Sequence, residues 1–232
     1  MEHIKKNINC VREKIGAAAA KSSHNTDNIV LCGVTKTVSA EEVNYAISCG
    51  LLDIGENRVQ EFCEKRKSIT PNGVNFHMIG HLQTNKIKYL IGQTSLIHSV
   101  DSLPLAVEID RQSLKAKVET DVLLQVNIGD ETTKYGLSAE KVLPILKECA
   151  NLSGVHVRGL MCVHPISIDK DKTRDYFKRM YALFVDMRDK KVDNIDMKVL
   201  SMGMSMDFDI AVEEGATIVR VGSAIFNNKE SL

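Results

Sequence analysis

A closed barrel of eight parallel strands alternating with helices is the fold this sequence predicts, and three observations predict it. The chain has 232 residues, near the length at which one (β/α)8 barrel, a TIM barrel, is complete and enough to bury one sizeable core. Eight strand-like runs recur along it, mostly as continuous apolar stretches rather than alternating ones, which is how strands buried on both faces read. Helical patterns fill the gaps, with no linker or low-complexity stretch. The expectation is a single α/β domain over residues 1–232. An open doubly wound sheet is the alternative, but it usually has fewer strands.

The chain opens with "MEHIKKNINCVREKIGAAAAK", where Ile4, Ile8, Val11 and Ile15 recur at helical spacing among charges, so it reads as an amphipathic helix rather than a signal peptide. "NIVLCGVT" is the first strand, and it runs into Lys36. "SAEEVNYAISCG" begins with a capping box, Ser39 and Glu42, and stops at Gly50. "LLDIGE", "VNFHMIG", "SLIHSV", "DVLLQVNI" and "VHVRGLMCV" follow as strands two to six. In "DKTRDYFKRMYALFVDMRDKK" the residues Phe177, Met180, Tyr181, Phe184 and Met187 form one apolar stripe, a core-facing helix with a solvated charged face. "MKVLSMG" and "TIVRVGS" complete the eight.

Thirty basic residues balance thirty acidic ones, so no global field draws the chain to nucleic acid or an anionic membrane, and any anionic ligand is held locally. No apolar run approaches the roughly 20 residues that span a bilayer, and the expectation is a soluble, cytoplasmic protein. Six cysteines are scattered without a CxxC pair, which argues against a disulfide framework or a cysteine zinc site.

If the barrel closes, the C-terminal strand ends converge on one face, where sites of this fold lie. Those ends are polar: Lys36; Glu56 and Asn57; His77 to His81; His98 and Asp101; Gln125 and Asn127; His164; Ser201 to Ser205; and Arg220 to Ser223. "LSMGMS" puts Gly203 in a turn and Ser205 where it could cap the next helix, while "VRVGSAIF" places Gly222 and Ser223 in the following loop. Each alone reads as an ordinary turn; together, in the loops after strands seven and eight, they form a phosphate cradle. Strand eight neighbours strand one on closure, so Lys36 stands beside that cradle. A ligand with both a carbonyl and a phosphate satisfies both, with Lys36 forming a Schiff base. A phosphosugar and pyridoxal phosphate both fit. Arg220 shares a strand face with Gly222, where it either contacts phosphate or donates to a pyridine nitrogen without surrendering its proton. His77 and His81 lie on strand and loop, so their spacing does not build a zinc helix, and no metal site is expected.

Seven stretches, "GVTKTVSAEEVNYAISCG", "DIGENRVQE", "FHMIGHLQTNK", "VNIGDETTKYG", "RGLM", "LSMGMSMDFDIAVEEGAT" and "VRVGSAIF", resemble in order and spacing the YggS/PROSC family of pyridoxal phosphate homeostasis proteins. The resemblance covers nearly the whole chain and implies a barrel like the N-terminal domain of alanine racemase, fold type III of pyridoxal phosphate proteins. It implies that Lys36 holds the cofactor as an internal aldimine and that Asn57, His77 and Gly80 line the pocket. Ser201, Met202, Ser205, Gly222 and Ser223 would surround ring and phosphate, with Arg220 facing the pyridine nitrogen. "GLMCVHP", with Cys162 and His164, is less typical of the family.

Binding pyridoxal phosphate does not by itself make an enzyme. A racemase needs a second base on the opposite cofactor face, which alanine racemases draw from a two-domain dimer, and a chain of this length leaves no room for that second domain. The expectation is therefore a monomeric, non-catalytic carrier or regulator of intracellular pyridoxal phosphate, with apo-enzymes as partners. An amino-acid racemase is the alternative, and a cofactor-free aldolase the third reading.

Overall fold

The computed structural model describes residues 1–24, 28–69, 73–129, 135–165 and 169–228. The "DETTK" stretch of the "VNIGDETTKYG" motif lies outside them. Eight parallel strands close into a barrel in chain order: β1 (Val30–Val34), β2 (Asp53–Glu56), β3 (Asn75–Met78), β4 (Leu96–Val100), β5 (Thr120–Val126), β6 (Val155–Cys162), β7 (Val199–Ser201) and β8 (Ile218–Val221). Closure comes from β1 pairing with β8, with Gly33 opposite Val221. All eight strands read from the sequence are present.

The helices form as their local chemistry dictates. Helix α1 (Glu2–Ala19) buries Ile4, Ile8, Val11, Ile15 and Ala18. In α2 (Ala40–Ser48) the Ser39–Glu42 capping box is formed in both directions, and Gly50 follows at φ +85°. Helix α3 (Val59–Ser68) buries Val59, Phe62 and, unusually, Lys65. The helices α4 (Leu103–Ala116) and α5 (Ala139–Cys149) follow β4 and β5. Helix α6 (Lys170–Asp189) turns Phe177, Met180, Phe184 and Met187 inward, as its stripe requires. Two short helices, α7 (Phe208–Glu213) and α8 (Ser223–Phe226), come last, and α1 packs on both. No helix among the described residues is long and apolar enough to cross a membrane.

The core has two parts. Most buried apolar side chains lie in the layer between strands and helices. Inside the barrel a second cluster, Cys32, Leu96, Leu123, Met161 and Ile218, fills the axis. Interior positions two residues further along several strands are polar: His98, Ser201 and Arg220 follow Leu96, Val199 and Ile218, and all three are buried. All six cysteines are unpaired, and burial pushes the Cys32 and Cys162 thiols up to about 12.

Candidate functional site

Lys36 leaves β1 into solvent at the C-terminal mouth, and the turn that presents it is held on both sides. Before it, the Thr35 hydroxyl donates to Glu56 Oε1 at 2.5 Å, and Lys65 Nζ donates to the Thr35 carbonyl and lies 2.6 Å from Glu56 Oε1. After it, Thr37 adopts φ +62°, and its N–H donates to Glu61 Oε2 at 3.1 Å. A left-handed conformation in a β-branched residue is a true outlier costing roughly 1–3 kcal/mol. Glu56 is fully buried, and its Oε2 has no partner among the described residues.

Asn57 follows β2 and Gly80 follows β3, and the two touch. A Cβ on Gly80 would lie 2.2 Å from the Asn57 carbonyl oxygen, so only glycine permits this approach. Asn57 Oδ1 is buried without a partner among the described residues, an unmet acceptor of the kind that calls for explanation.

The last two strand ends are joined by Ser205, whose hydroxyl accepts from the N–H of Gly222 at 3.1 Å and of Ala224 at 3.4 Å. The sequence expectation that Ser205 caps the next helix is corrected here. Asp207 is the N-cap of α7, and its carboxylate accepts the Met204 N–H at 2.7 Å, leaving Ser205 free to bridge the loops. Gly222 packs against Val34, where a Cβ would stand 3.2 Å from the Val34 carbonyl. This contact brings the β8 loop beside the strand that carries Lys36. Ser223 is exposed at the start of α8. Met202 is fully buried in the main apolar cluster, and its N–H donates to the Ile218 carbonyl at 3.1 Å.

Arg220 is buried, and its guanidinium is fixed from two sides, Nη1 donating to Ser201 Oγ at 2.6 Å and Nη2 to the Cys162 carbonyl at 2.8 Å. Burial lowers its pKa, yet a guanidinium keeps its proton in a protein. Among the described residues no carboxylate forms an ion pair with it.

The structure thus gathers Lys36, Asn57, Gly80, Ser201, Ser205, Arg220, Gly222 and Ser223 at one end of the barrel or directly beneath it. His77 is the exception. Its ring lies within the barrel, 3.1 Å from Asp53 Oδ1 at the start of β2 and 2.9 Å from His98 Nε2, and it lines a cavity of about 430 Å³ at the opposite end. The physical reason is register: His77 pairs with Gly55, one residue short of the strand end, and its side chain meets Asp53 two residues further back. His81 instead hydrogen-bonds Asp101 at 3.1 Å and stacks on Tyr135, so the two histidines share no ligand position. His164 Nδ1 lies 2.6 Å from the Pro165 carbonyl and Nε2 3.0 Å from Asp207, the carboxylate that shapes the Ser205 loop.

The sequence reading missed Lys65 and the joint role of Thr35 and Glu56. The signal was present, since Lys65 stands on the same stripe as Val59 and Phe62, where an apolar residue belongs.

The family described as alanine racemase, N-terminal domain, matches residues 1–229. A pyridoxal phosphate homeostasis protein of Aquifex aeolicus is 39% identical over 220 residues, covering 95% of this chain and 96% of that protein. PipY of Synechococcus elongatus, solved with pyridoxal phosphate bound, superposes with a TM-score of 0.84 at 29% identity, covering 97% of this chain and all of that one. An alanine racemase of Clostridium difficile shares the fold, with a TM-score of 0.75 at 18% identity. This chain is covered completely and spans 58% of that one.

Proposed function

The chain belongs to the alanine racemase N-terminal-domain family, in its branch of pyridoxal phosphate homeostasis proteins, and from that premise we propose that it carries pyridoxal phosphate at the barrel mouth, attached to Lys36. It takes part in intracellular pyridoxal phosphate homeostasis as a carrier or regulator without catalytic turnover.

The observation that carries this reading is the buried guanidinium of Arg220, oriented by Ser201 and Cys162 and lacking a carboxylate partner among the described residues. A buried cation without a counter-ion is costly unless something polar meets it. The ring nitrogen of pyridoxal phosphate is such a group. When bound, the cofactor supplies an aldehyde that a lysine can capture and a ring that can accept electrons. Arg220 would donate to the ring nitrogen without giving up its proton, which would keep the ring unprotonated and a weaker electron sink. Asn57, with its orphaned Oδ1, and Gly80 form one wall. Ser205, Gly222 and Ser223 take the phosphate end, and Lys36 stands across the β1–β8 seam from them.

The test is borohydride reduction of cofactor-saturated protein followed by peptide mass analysis, with the pyridoxyl adduct expected on Lys36. An adduct on another lysine, or none, overturns the attachment. Exchange of the α-protons of common amino acids with solvent separates carrier from racemase: exchange at a catalytic rate overturns the non-catalytic reading.

A further inference from the structure

Polar side chains from five strands form one line through the barrel interior. Arg220 Nη1 donates to Ser201 Oγ. Ser201 Oγ lies 2.9 Å from His98 Nδ1, His98 Nε2 lies 2.9 Å from His77 Nδ1, and His77 Nε2 lies 3.1 Å from Asp53 Oδ1. Each residue reaches a neighbour on a different strand, so the line crosses the barrel from the Arg220 end to the cavity at the opposite mouth.

We propose that His98 is a positioning residue for Arg220: acting through the Ser201 hydroxyl, and itself oriented by His77 and Asp53, it sets the guanidinium that meets the ring nitrogen of bound pyridoxal phosphate. This rests on the reading of the site given above.

Donor and acceptor accounting fixes the direction of the line. A guanidinium only donates and a carboxylate only accepts. With one proton on each imidazole, a single arrangement gives every contact one donor and one acceptor. Ser201 O–H donates to His98 Nδ1, His98 Nε2–H to His77 Nδ1, and His77 Nε2–H to Asp53. The reverse direction leaves a ring lone pair of His77 against the carboxylate. His98 is held in its neutral form by burial, with His77 and Arg220 alongside, which is what a relay with one proton per ring requires.

The surroundings argue that the line is there for more than packing. Cys32, Leu96, Leu123, Met161 and Ile218 fill the axis around it, and interior barrel positions are ordinarily branched apolar residues that incur no desolvation cost. A polar chain in that setting is tolerated only when fully satisfied, and it then fixes the orientation of each member. Ser201 is the coupling point. Its Oγ lies 2.6 Å from Arg220 Nη1 and 2.9 Å from His98 Nδ1, so one oxygen joins the two groups.

Two measurements test this. Long-range 15N–1H correlation of the imidazoles in ligand-free protein is expected to show His98 and His77 each carrying the proton on Nε2; a proton on Nδ1 of His98 overturns the proposal whatever the cofactor does. In cofactor-loaded protein, His98→Leu is expected to release pyridoxal phosphate about tenfold faster, the loss of roughly one hydrogen bond to a charged network, and to shift its absorbance band. His98→Asn, whose amide oxygen can accept from Ser201, is expected to restore most of both. An unchanged spectrum and release rate in His98→Leu overturn the positioning role while leaving Lys36 attachment intact. Failure of the unaltered protein to form the Lys36 adduct overturns the reading of the site and this inference with it. If His98→Leu does not fold, the tautomer measurement decides alone.

Discussion

Lys65 and Glu56 form a buried ion pair at 2.6 Å, and the same ammonium donates to the carbonyl of Thr35, the residue that precedes Lys36. A lysine from α3 and a glutamate from β2 thus fix the backbone from which the exposed lysine projects. Burying such a pair gains little net stability, but removing one partner strands the other.

Lys65→Met is therefore expected to destabilise the fold by about 3–5 kcal/mol, because Glu56 loses its counter-charge in a site closed to water. Pairing it with Glu56→Gln should recover much of the loss. Chemical denaturation of the single and the double variant measures both. A single-variant loss under about 1 kcal/mol would place this pair with solvent-screened surface bridges and contradict its burial.

Thr37 sits at φ +62° immediately after Lys36. Thr37→Gly removes strain of roughly 1–3 kcal/mol and adds unfolded-chain entropy of up to about 1 kcal/mol against folding, so stability should hold or rise. Cofactor retention should fall, because the turn no longer aims Lys36. Melting temperature and pyridoxal phosphate release, measured together, check it; equal retention would make the strain incidental.

Acid should expose the interior histidine. Burial, with His77 and Arg220 alongside, holds His98 well below the 6.5 of a free imidazole. Above that value neither folded nor unfolded chain binds the proton, and stability is undiminished. As pH falls below it, the unfolded chain takes up a proton that the folded chain refuses, and stability drops by about 1.4 kcal/mol per pH unit until the folded value is reached. His98→Asn, which has no such proton, should show a stability–pH slope shallower by that amount in ligand-free protein. Parallel slopes would mean that His98 is not buried as a neutral ring.

Gly80→Ala would drive a methyl to 2.2 Å from the Asn57 carbonyl. The backbone of Asn57 must give way, at a cost of about 1–3 kcal/mol typical of overpacking, and binding of pyridoxal phosphate should weaken more than stability does. Titration by absorbance against a denaturation curve separates the two. Unaltered affinity would remove Asn57 and Gly80 from the proposed wall.

The barrel was legible because its strands are buried on both faces and so read as unbroken apolar runs; "NIVLCGVT" and "TIVRVGS" needed no partner to be recognised. The mouth was legible for a related reason, since Lys36, Asn57 and Arg220 interrupt or end those runs. Depth along a strand was not. His77 and Gly80 are three residues apart, yet one faces Asp53 at the far end of the barrel and the other touches Asn57. Register between strands decides this, and one strand's sequence does not contain it. The contact between His98 and Ser201 joins residues 103 apart, and Ser205 was misread as a cap because its bridging partner, Gly222, arrives from the next strand. Lys65 was overlooked because a charged residue on a helix is usually solvated.

Asn7 Nδ2 donates to the carbonyl of Ile225 across 218 residues, pinning α1 to the short helix after β8. Lys36 is thus set down early in the chain, while Ser205, Arg220 and Gly222 are set down late. The Lys36 side of the proposed site waits for its other half through most of the chain's length. Contacts of such long range form slowly, since the closure entropy must be met before they reward it. The two sides of the proposed site meet only where β1 pairs with β8, so closing the ring and assembling the site are one event.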